Sequence, residues 1–327
     1  MTAARRSIGI ALIAVAVIVV VIPALDHGTD ATRFADATVS GLKNGLIIAV
    51  TAIGLSLIYG TTGLVNFAHG ELVTMGAVIA WYFNNPVEWG GHVSLWIGGL
   101  IAVVVVGLFG GGLELGLWRP LRRRRAGLIQ MLVVSIGLSL LLRSLIQVFY
   151  GANRNPFYDY NVQNQFAIWR FSAPPRVWAI IIIAAAVVVG VGMFLTWTRY
   201  GKAMRAVADN NDLAESTGID VNGVILLVWI TGAGLAALGG VLQGLGDGAI
   251  AFDMGFRLLL LMFAAIILGG LGSAYGALAG GLVIGMVIEW STIWLPGDLK
   301  LAWAMALMVG ILLIRPQGLL GRAERFG

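Results

Sequence analysis

A short polar segment with closely spaced glycines interrupts the apolar sequence between residues 60 and 71. It reads Gly-Thr-Thr-Gly-Leu-Val-Asn-Phe-Ala-His-Gly-Glu and contributes Asn66, His69 and Glu71. In hydrocarbon these groups would lack hydrogen-bond partners, so the segment must be buried in protein or line a water-filled path. Free amides at the start of the following helix could also meet a substrate carboxylate. The segment therefore points to transport.

The same residues also allow a purely structural role. His69 and Glu71 are two positions apart, so on a helix they do not share a face. The other histidines, His27 and His92, stand far away in the sequence, and we expect neither a metal site nor a catalytic site. Asn66 can cap the next helix with Glu71 in its first turn, while a buried His69 can bond a backbone carbonyl.

The composition is that of an integral membrane protein. Of 327 residues, 59% are hydrophobic and only 11% are charged, whereas about a quarter of a soluble domain is charged. Apolar runs of about 18 to 25 residues suit helices that span the bilayer, and no alternating pattern predicts a barrel. The net charge of +5 comes from short basic clusters at the ends of these runs. Membrane orientation explains such clusters, so nucleic acid is not an expected partner.

The apolar windows predict an all-α polytopic bundle of about ten transmembrane helices, which forms a single domain over residues 1–327. Basic clusters such as Arg122–Arg125 and Arg199–Arg205 fall on one side, and the positive-inside rule makes that side, with both termini, cytoplasmic. The first run also fits a signal peptide after Arg5 and Arg6. The predicted spans are 8–25, 38–59, 67–84, 93–118, 127–149, 177–197, 223–247, 257–271, 274–294 and 300–314.

Two connections between spans are long. Residues 150–176 form an outer loop rich in Tyr, Asn and Pro, which suits either an aromatic belt at headgroup depth or a docking surface for an external protein. Residues 198–222 form the largest polar segment on the inner side. Its pattern predicts a short helix over residues 203–208 and a second helix that ends at Gly218. Helices this short need a surface to dock on, which is either another protein or the membrane.

A second break at residues 269–276 faintly repeats the first, and we interpret the pair as Gly-rich broken helices in a weak internal repeat. Matching breaks in two halves point to a transport site near the middle of the bilayer. Glycines four apart, such as Gly276 and Gly280, equally allow close helix packing. The residues assigned to the candidate translocation path are Gly63, Asn66, Phe67, His69, Gly70, Glu71, Gly269, Gly270, Gly272 and Ser273.

Three further ionisable residues lie within predicted spans: Glu114, Arg143 and Glu289. An unpaired charge at such a depth is costly, so each is expected to face protein or to extend to an interface. No series of acidic and histidine residues follows one helix face, which argues against a proton relay. The candidate hydrogen-bond partners of the three are Gln130, Gln147 and Gln243.

Four motifs together resemble one family of transporters, the LivH-type permeases of branched-chain amino acid ABC importers. The similarity spans roughly residues 40–321, and the motifs follow one another in the family's order. They are Tyr59-Gly-Thr-Thr-Gly63 with Asn66-Phe-Ala-His-Gly-Glu71, Gly201-Lys-Ala-Met-Arg-Ala-Val-Ala208 with Ala214 and Gly218-Ile219, Leu268-Gly-Gly-Leu-Gly-Ser273, and Arg315-Pro-Gln-Gly-Leu-Leu-Gly321.

The resemblance implies a multi-pass permease subunit in a bacterial-type inner or plasma membrane. It would pair with a second permease subunit, identical or LivM-like, and with two cytoplasmic ATPase subunits and an external solute-binding protein. The chain has no Gly-x-x-x-x-Gly-Lys-Ser/Thr phosphate loop, so we expect no cofactor here, ATP and Mg²⁺ being bound by the partners. The chain is therefore expected to be a transport subunit rather than an enzyme.

The expected cargo is a branched-chain amino acid. Urea, short amides or small carboxylates remain alternatives within the same architecture, and a secondary transporter that needs no nucleotide remains an alternative outside it. In the family the inner loop resembles the coupling helix that docks on the ATPase. The residues that the resemblance assigns to ATPase coupling are Gly201, Met204, Arg205, Ala206, Val207, Asp209, Asp212, Glu215, Gly218 and Ile219.

Overall fold

The structure is a computed structural model that describes residues 31–86, 92–160, 163–164, 166–168, 171–293, 296–314 and 318–319. The first predicted span, 8–25, and most of the C-terminal motif lie outside these residues. The helices are α1 (Ala31–Thr62), α2 (His69–Asn84), α3 (Leu95–Leu113), α4 (Arg119–Arg123), α5 (Leu128–Tyr150), α6 (Pro175–Trp197), α7 (Arg199–Asp209), α8 (Asn211–Ser216), α9 (Val221–Asp247), α10 (Met254–Gly269), α11 (Ala274–Ser291) and α12 (Lys300–Ile314).

Six helical segments of the described chain are long and apolar enough to cross a membrane, which indicates a multi-pass membrane protein. Helices occupy every predicted window that falls within the described residues. However, α2 and α10 have only 16 residues each, and α12 has 15. Within the described residues, length and composition therefore support six spans, and the predicted count of about ten is not confirmed. The six are Thr32–Thr62, Leu95–Arg123, Leu128–Tyr150, Pro175–Trp197, Val221–Asp247 and Ala274–Ser291.

Helices α1 and α9 form the centre of the bundle, and α5 and α6 lie at its periphery. The most apolar stretches of α1 and α9 are 78% and 67% buried, compared with 22% for α5 and 17% for α6. The close contact of α1 with α11 depends on glycine. A Cβ on Gly45 would lie 3.1 Å from the Cα of Leu282, so a larger residue there would force the two helices apart.

The bundle has two ends, the Arg199 end and the Asp159 end. The Arg199 end carries the last turn of α1, the turn between α10 and α11, and the two short helices α7 and α8. The Asp159 end carries the last residues of α2, α9 and α11. There the side chain of Asn84 donates to Asp159 Oδ2 over 2.8 Å, and His92 Nε2 lies 2.8 Å from Asp159 Oδ1.

The fold is helical as expected, but the connection at residues 150–176, which was predicted as an outer loop, is not wholly a loop. It contains a short antiparallel hairpin of β1 (Phe166–Ile168) and β2 (Phe171–Ala173), in which Phe166 pairs with Ala173. Aromatic and β-branched residues favour such a strand pair. Helix α5 is tied to the start of α10, because the hydroxyl of Tyr150 donates to the carbonyl of Ile250 over 3.1 Å.

Candidate translocation and coupling sites

Helix α2 begins deep inside the bundle. Helix α1 ends at Thr62, and Gly63 adopts a φ of 68°, a left-handed conformation that favours glycine. The chain then runs back without helix until α2 starts at His69, whose Nε2 donates to the carbonyl of Thr51 over 3.2 Å. At 1.5 Å per residue, Thr51 lies about 16 Å from Thr62 along the axis of α1. The start of α2 therefore lies about this far back from the end of α1. The break is therefore a return segment, and α2 is a short helix of 16 residues.

Asn66 holds the turn that leads into α2, although it is not the cap predicted from the sequence. Its Oδ1 accepts from the amide of Ala68 over 3.1 Å, and its carbonyl accepts from the amide of His69 over 3.3 Å. The N-cap position is Ala68, which makes no side-chain capping bond. Because Asn66 stands two residues before the N-cap position, it forms an Asx-type turn instead.

Phe67 fixes the break against α5 and α10. Its amide donates to Ser135 Oγ of α5 over 3.2 Å. Its ring lies 5.2 Å from the ring of Phe263 of α10, tilted by 50°. Tilted aromatic pairs at this distance contribute about 0.5–1.5 kcal/mol beyond their buried area. The return segment is thus held between two helices that are distant in sequence.

Glu71 pairs with Arg143 of α5, which the sequence did not predict. The Oε1 atom of Glu71 accepts from Nη2 of Arg143 over 2.7 Å and from Nε over 3.1 Å, and Ser139 Oγ donates to the same oxygen over 3.1 Å. The guanidinium carbon also lies 4.0 Å from the ring centre of Phe256. The arginine is therefore shared between a carboxylate of α2 and an aromatic ring of α10.

The predicted glutamine partners of the ionisable residues are wrong. Glu114 accepts hydrogen bonds from both terminal nitrogens of Arg122, and Glu289 accepts from Lys300 Nζ over 2.8 and 3.0 Å. Gln130 instead bonds the amide of Gly127. The physical reason is that only a cation compensates a buried carboxylate fully. Pairs separated by 8, 11 and 72 positions were not visible in the sequence.

Three polar side chains at the start of α2 keep an unused hydrogen-bonding atom. Asn66, His69 and Glu71 are 1%, 0% and 0% exposed. Their Nδ2, Nδ1 and Oε2 atoms, respectively, have no partner within the described part of the chain. A buried polar atom without a partner costs about 1–3 kcal/mol, and such atoms call for an explanation such as a bound molecule or a moving segment. The cluster offers donors and acceptors to a polar solute.

A second short helix, α10, begins beside α2. Gly255, in the first turn of α10, donates its amide to Thr74 Oγ1 over 3.0 Å. A Cβ on Gly70 would lie 2.7 Å from the carbonyl oxygen of Gly255, so the two backbones touch. From this contact α2 runs toward the Asp159 end and α10 toward the Arg199 end. The sequence reasoning missed Gly255, although its position just after Asp253 and Met254 at a helix start was a usable signal.

The other predicted half of the translocation path lies elsewhere. Gly270 and Gly272, with φ values of 109° and 77°, form a tight turn, and Ser273 caps α11 by accepting from the amide of Gly276 over 3.0 Å. This turn packs on the end of α1, where a Cβ on Gly60 would lie 3.0 Å from the carbonyl of Gly272. It does not join the cluster of Asn66, His69 and Glu71. The return segment and the turn differ in shape, so the predicted internal repeat is not confirmed.

The two short helices predicted for the inner loop are present as α7 and α8. Thr198 caps α7 and Asn210 caps α8, each through a side-chain oxygen 2.9 Å from a backbone amide. Gly218 has a φ of 85°, which ends the hairpin as expected. One face of the hairpin is buried and the other is exposed. The buried residues are Gly201, Met204, Val207 and Ala214, and the exposed ones include Arg205, Asp212, Glu215 and Leu213.

The hairpin directly contacts the last turn of α1 and the return segment that follows it. Asn211 Nδ2 donates to the carbonyl of Thr61 over 3.3 Å. Met204 and Val207 belong to the same buried apolar cluster as Leu64 of the return segment. That cluster also includes a stacked pair of indole rings, Trp118 and Trp229, with centroids 5.6 Å apart. The described residues form no group of three or more acidic, histidine or cysteine side chains that could hold a metal.

Comparisons with known proteins give one consistent family. The family model described as the permease component of the branched-chain amino acid transport system matches residues 37–314. The high-affinity branched-chain amino acid transport system permease protein LivH of Salmonella typhimurium is 29% identical over 296 residues, which cover 87% of this chain and 94% of that protein. The protein BraD of Pseudomonas aeruginosa, named in the same way, is 31% identical over 295 residues, 88% of this chain and 95% of BraD. No solved structure is significantly similar to the chain.

Proposed function

The chain belongs to the family of branched-chain amino acid transport permease components, and from this premise we propose that it forms the transmembrane path of an ATP-driven importer for branched-chain amino acids. The observation that carries the proposal, beside family membership, is the contact between the inner hairpin and the break in α1. A hairpin with one buried and one exposed face is suited to transmit the movement of a docked protein into the bundle.

We assign the exposed face of α7 and α8 to a pair of nucleotide-hydrolysing partner subunits. Arg205, Asp212 and Glu215 are charged and exposed, and Leu213 is 63% exposed between them. Burial of the Leu213 side chain against a partner would stabilise the complex by about 1.5–3 kcal/mol. The Arg199 end then faces the cytoplasm, in agreement with the positive-inside rule.

The start of α2 is our candidate for the solute path. All three polar side chains there are buried, so the conformation described is closed at this depth. Movement of the hairpin would pull on Thr61, and Gly63 supplies the backbone freedom that lets the return segment shift. Opening between α2 and α10 would then expose the unused atoms of Asn66, His69 and Glu71 to the solute.

The three short helices α2, α10 and α12 are consistent with a transport site inside the bundle. If α2, α10 and α12 count as membrane segments beside the six longer helices and the predicted span at 8–25, the bundle has ten. Two of the three short helices start at one depth and run in opposite directions, which is typical of discontinuous helices around a transport site. A second permease subunit, identical or homologous, and an external binding protein at the Asp159 end complete the proposed importer.

Reconstitution tests the whole proposal. The chain is placed in liposomes with its companion permease, ATPase subunits and binding protein, and uptake of leucine, isoleucine, valine, urea and small amides is measured. We expect uptake of the three branched amino acids only with ATP and loaded binding protein. Uptake by the chain without any ATPase would contradict the importer assignment, and preference for urea or amides would contradict the cargo.

A further inference from the structure

A cavity of about 420 Å³ lies toward the Asp159 end, and its lining does not include Asn66, His69 or Glu71 of the cluster at the start of α2. Its walls come from α1, α9, α10, α11 and α12, together with Arg154 of the segment that follows α5. The volume falls in the range of about 300–1,000 Å³ that is usual for small-molecule sites. None of its lining residues belongs to the inner hairpin.

The cavity is lined by equal numbers of acidic and basic side chains. Three acidic and three basic side chains line it, so the lining as a whole is neutral. A lining of this kind suits a ligand that carries both signs and has no net charge, because a net anion or cation would leave one set of charges uncompensated. The six residues are Asp247, Asp253, Glu289, Arg154, Arg257 and Lys300.

Several of these groups keep hydrogen-bonding capacity. Glu289 is 6% exposed and is held by Lys300 and by Asn44 Nδ2, which donates to its Oε1 over 2.8 Å. Asn44 Oδ1 is buried and has no partner among the described residues, so it can accept a bond from an ammonium group. Lys300 uses its donors only on Glu289 in this part of the chain, and Arg154 has no acidic partner there. Both cations can receive a carboxylate.

An apolar wall adjoins these charges. Ile48, Leu258, Leu261 and Ile288 line the same cavity. An aliphatic side chain placed against them would lose contact with water at a gain of about 25 cal/mol for each Å² buried. The cavity therefore combines an ammonium acceptor, carboxylate donors and an aliphatic surface within one small volume.

We propose that this cavity is an entry site that binds a branched-chain α-amino acid by its ammonium and carboxylate groups, with the aliphatic side chain on α10. This inference rests on the proposed function and assigns its first solute contact. The ammonium group binds Asn44 and Glu289, and the carboxylate binds Lys300 and Arg154. Because Glu289 and Lys300 already compensate each other, the ligand exchanges existing contacts for new ones, and the site releases its cargo readily.

Photo-crosslinking tests the site directly. The complete permease and ATPase complex, without binding protein, is incubated with photo-leucine, irradiated, and analysed by peptide mass spectrometry. We expect label on Ile48 or on the Leu258–Leu261 segment, displaced by leucine. Isopentylamine and 4-methylpentanoate each lack one of the two charges, and each should compete at least about tenfold less well, which corresponds to about 1.4 kcal/mol. Label only elsewhere, or equal competition by the amine, would overturn the proposal.

Variants separate binding from folding. Glu289→Gln should reduce the labelling about tenfold. Glu114→Gln, which alters another buried and paired glutamate at the opposite end, should leave it unchanged. Leu261→Trp fills the cavity and keeps every charge, so it should abolish labelling in a complex that still assembles, whereas Leu261→Met should not. Undiminished labelling in Leu261→Trp would overturn the proposal even if Glu289→Gln fails to fold.

A measurement of uptake tests the proposed function independently of the entry site. The same preparations receive binding protein and ATP, and leucine uptake is measured. Uptake by wild type with no label in the cavity would overturn the entry site alone. Label in the cavity without leucine uptake would overturn the proposed importer function alone.

Discussion

The side-chain amide of Asn211 donates to the carbonyl of Thr61 over 3.3 Å, and this bond joins the inner hairpin to the last turn of α1. The accepting carbonyl stands two residues before Gly63, where the backbone turns into the return segment. A displacement of the hairpin therefore acts on the chain just before it enters the cluster at the start of α2. The contact is local, but it connects the sites that we propose for coupling and for the solute path.

Replacing Asn211 with Ala should uncouple ATP hydrolysis from uptake. Loss of one neutral hydrogen bond is worth about 1 kcal/mol, so the ratio of leucine transported to ATP hydrolysed should fall about fivefold. Ser216→Ala is the matched control, since among the described residues Ser216 Oγ bonds only the carbonyl of Leu213, within its own helix. An unchanged ratio in Asn211→Ala would show that the contact does not transmit movement.

Replacing Leu213 with Asp should weaken binding of the ATPase subunits. Burying a leucine side chain fully against a partner is worth about 1.5–3 kcal/mol, so the Kd should rise about 30-fold in a copurification or biolayer assay. Leu299→Asp introduces the same change at the opposite end, where Leu299 is 44% exposed, and should leave binding intact. Equal loss in both variants would point to general destabilisation.

Replacing Glu71 or Arg143 with Ala should lower stability strongly. Arg143→Ala leaves the buried carboxylate of Glu71 uncompensated, at a cost of about 3–5 kcal/mol. Glu71→Ala should cost less, because the Arg143 side chain is 20% exposed. The double variant should lose much less than the sum of the single variants, because neither charge remains. Thermal unfolding of the purified chain in detergent measures all three. Additive losses would mean that the two side chains contribute independently.

Replacing Gly255 with Ala should impair uptake through steric overlap. A Cβ at this position would collide with the carbonyl of Gly70 and force α2 and α10 apart, and overpacking of this kind costs about 1–3 kcal/mol. Gly190→Ala on α6 is the control, because a Cβ there would meet nothing within 4 Å. Normal uptake in Gly255→Ala would contradict a fixed crossing of the two helices.

The combined change of Asn66 and His69 to Ala should reduce uptake about tenfold or more without loss of assembly. The change removes Asn66 Nδ2 and His69 Nδ1, which have no hydrogen-bond partner among the described residues. The proposed contacts of these atoms with the solute are removed with them. Assembly is followed by copurification of the ATPase subunits. Full uptake in the double variant would remove this cluster from the path.

Much of the architecture was predictable because membrane helices are local structures. Their apolar windows, the Gly63 break, the two short helices of the inner hairpin and the stop at Gly218 follow from residue type over a few neighbouring positions. The presence of Asn66, His69 and Glu71 within apolar sequence also identified the unusual segment before any contact was known. The motif resemblance then gave the family, which the comparisons confirm.

The sequence could not predict which residues that are distant along the chain contact each other. Arg143 as the partner of Glu71, Gly255 against Gly70 and Lys300 with Glu289 all depend on how helices cross, and crossing is fixed by the packing of whole surfaces. The two glycine-rich breaks read alike, yet one forms a return segment and the other a tight turn at the Arg199 end. Residue types along the chain thus determined which segments enter the membrane and which carry polar groups. Only the tertiary structure decided which of those groups meet, because charge pairing and close helix contact are properties of three-dimensional packing.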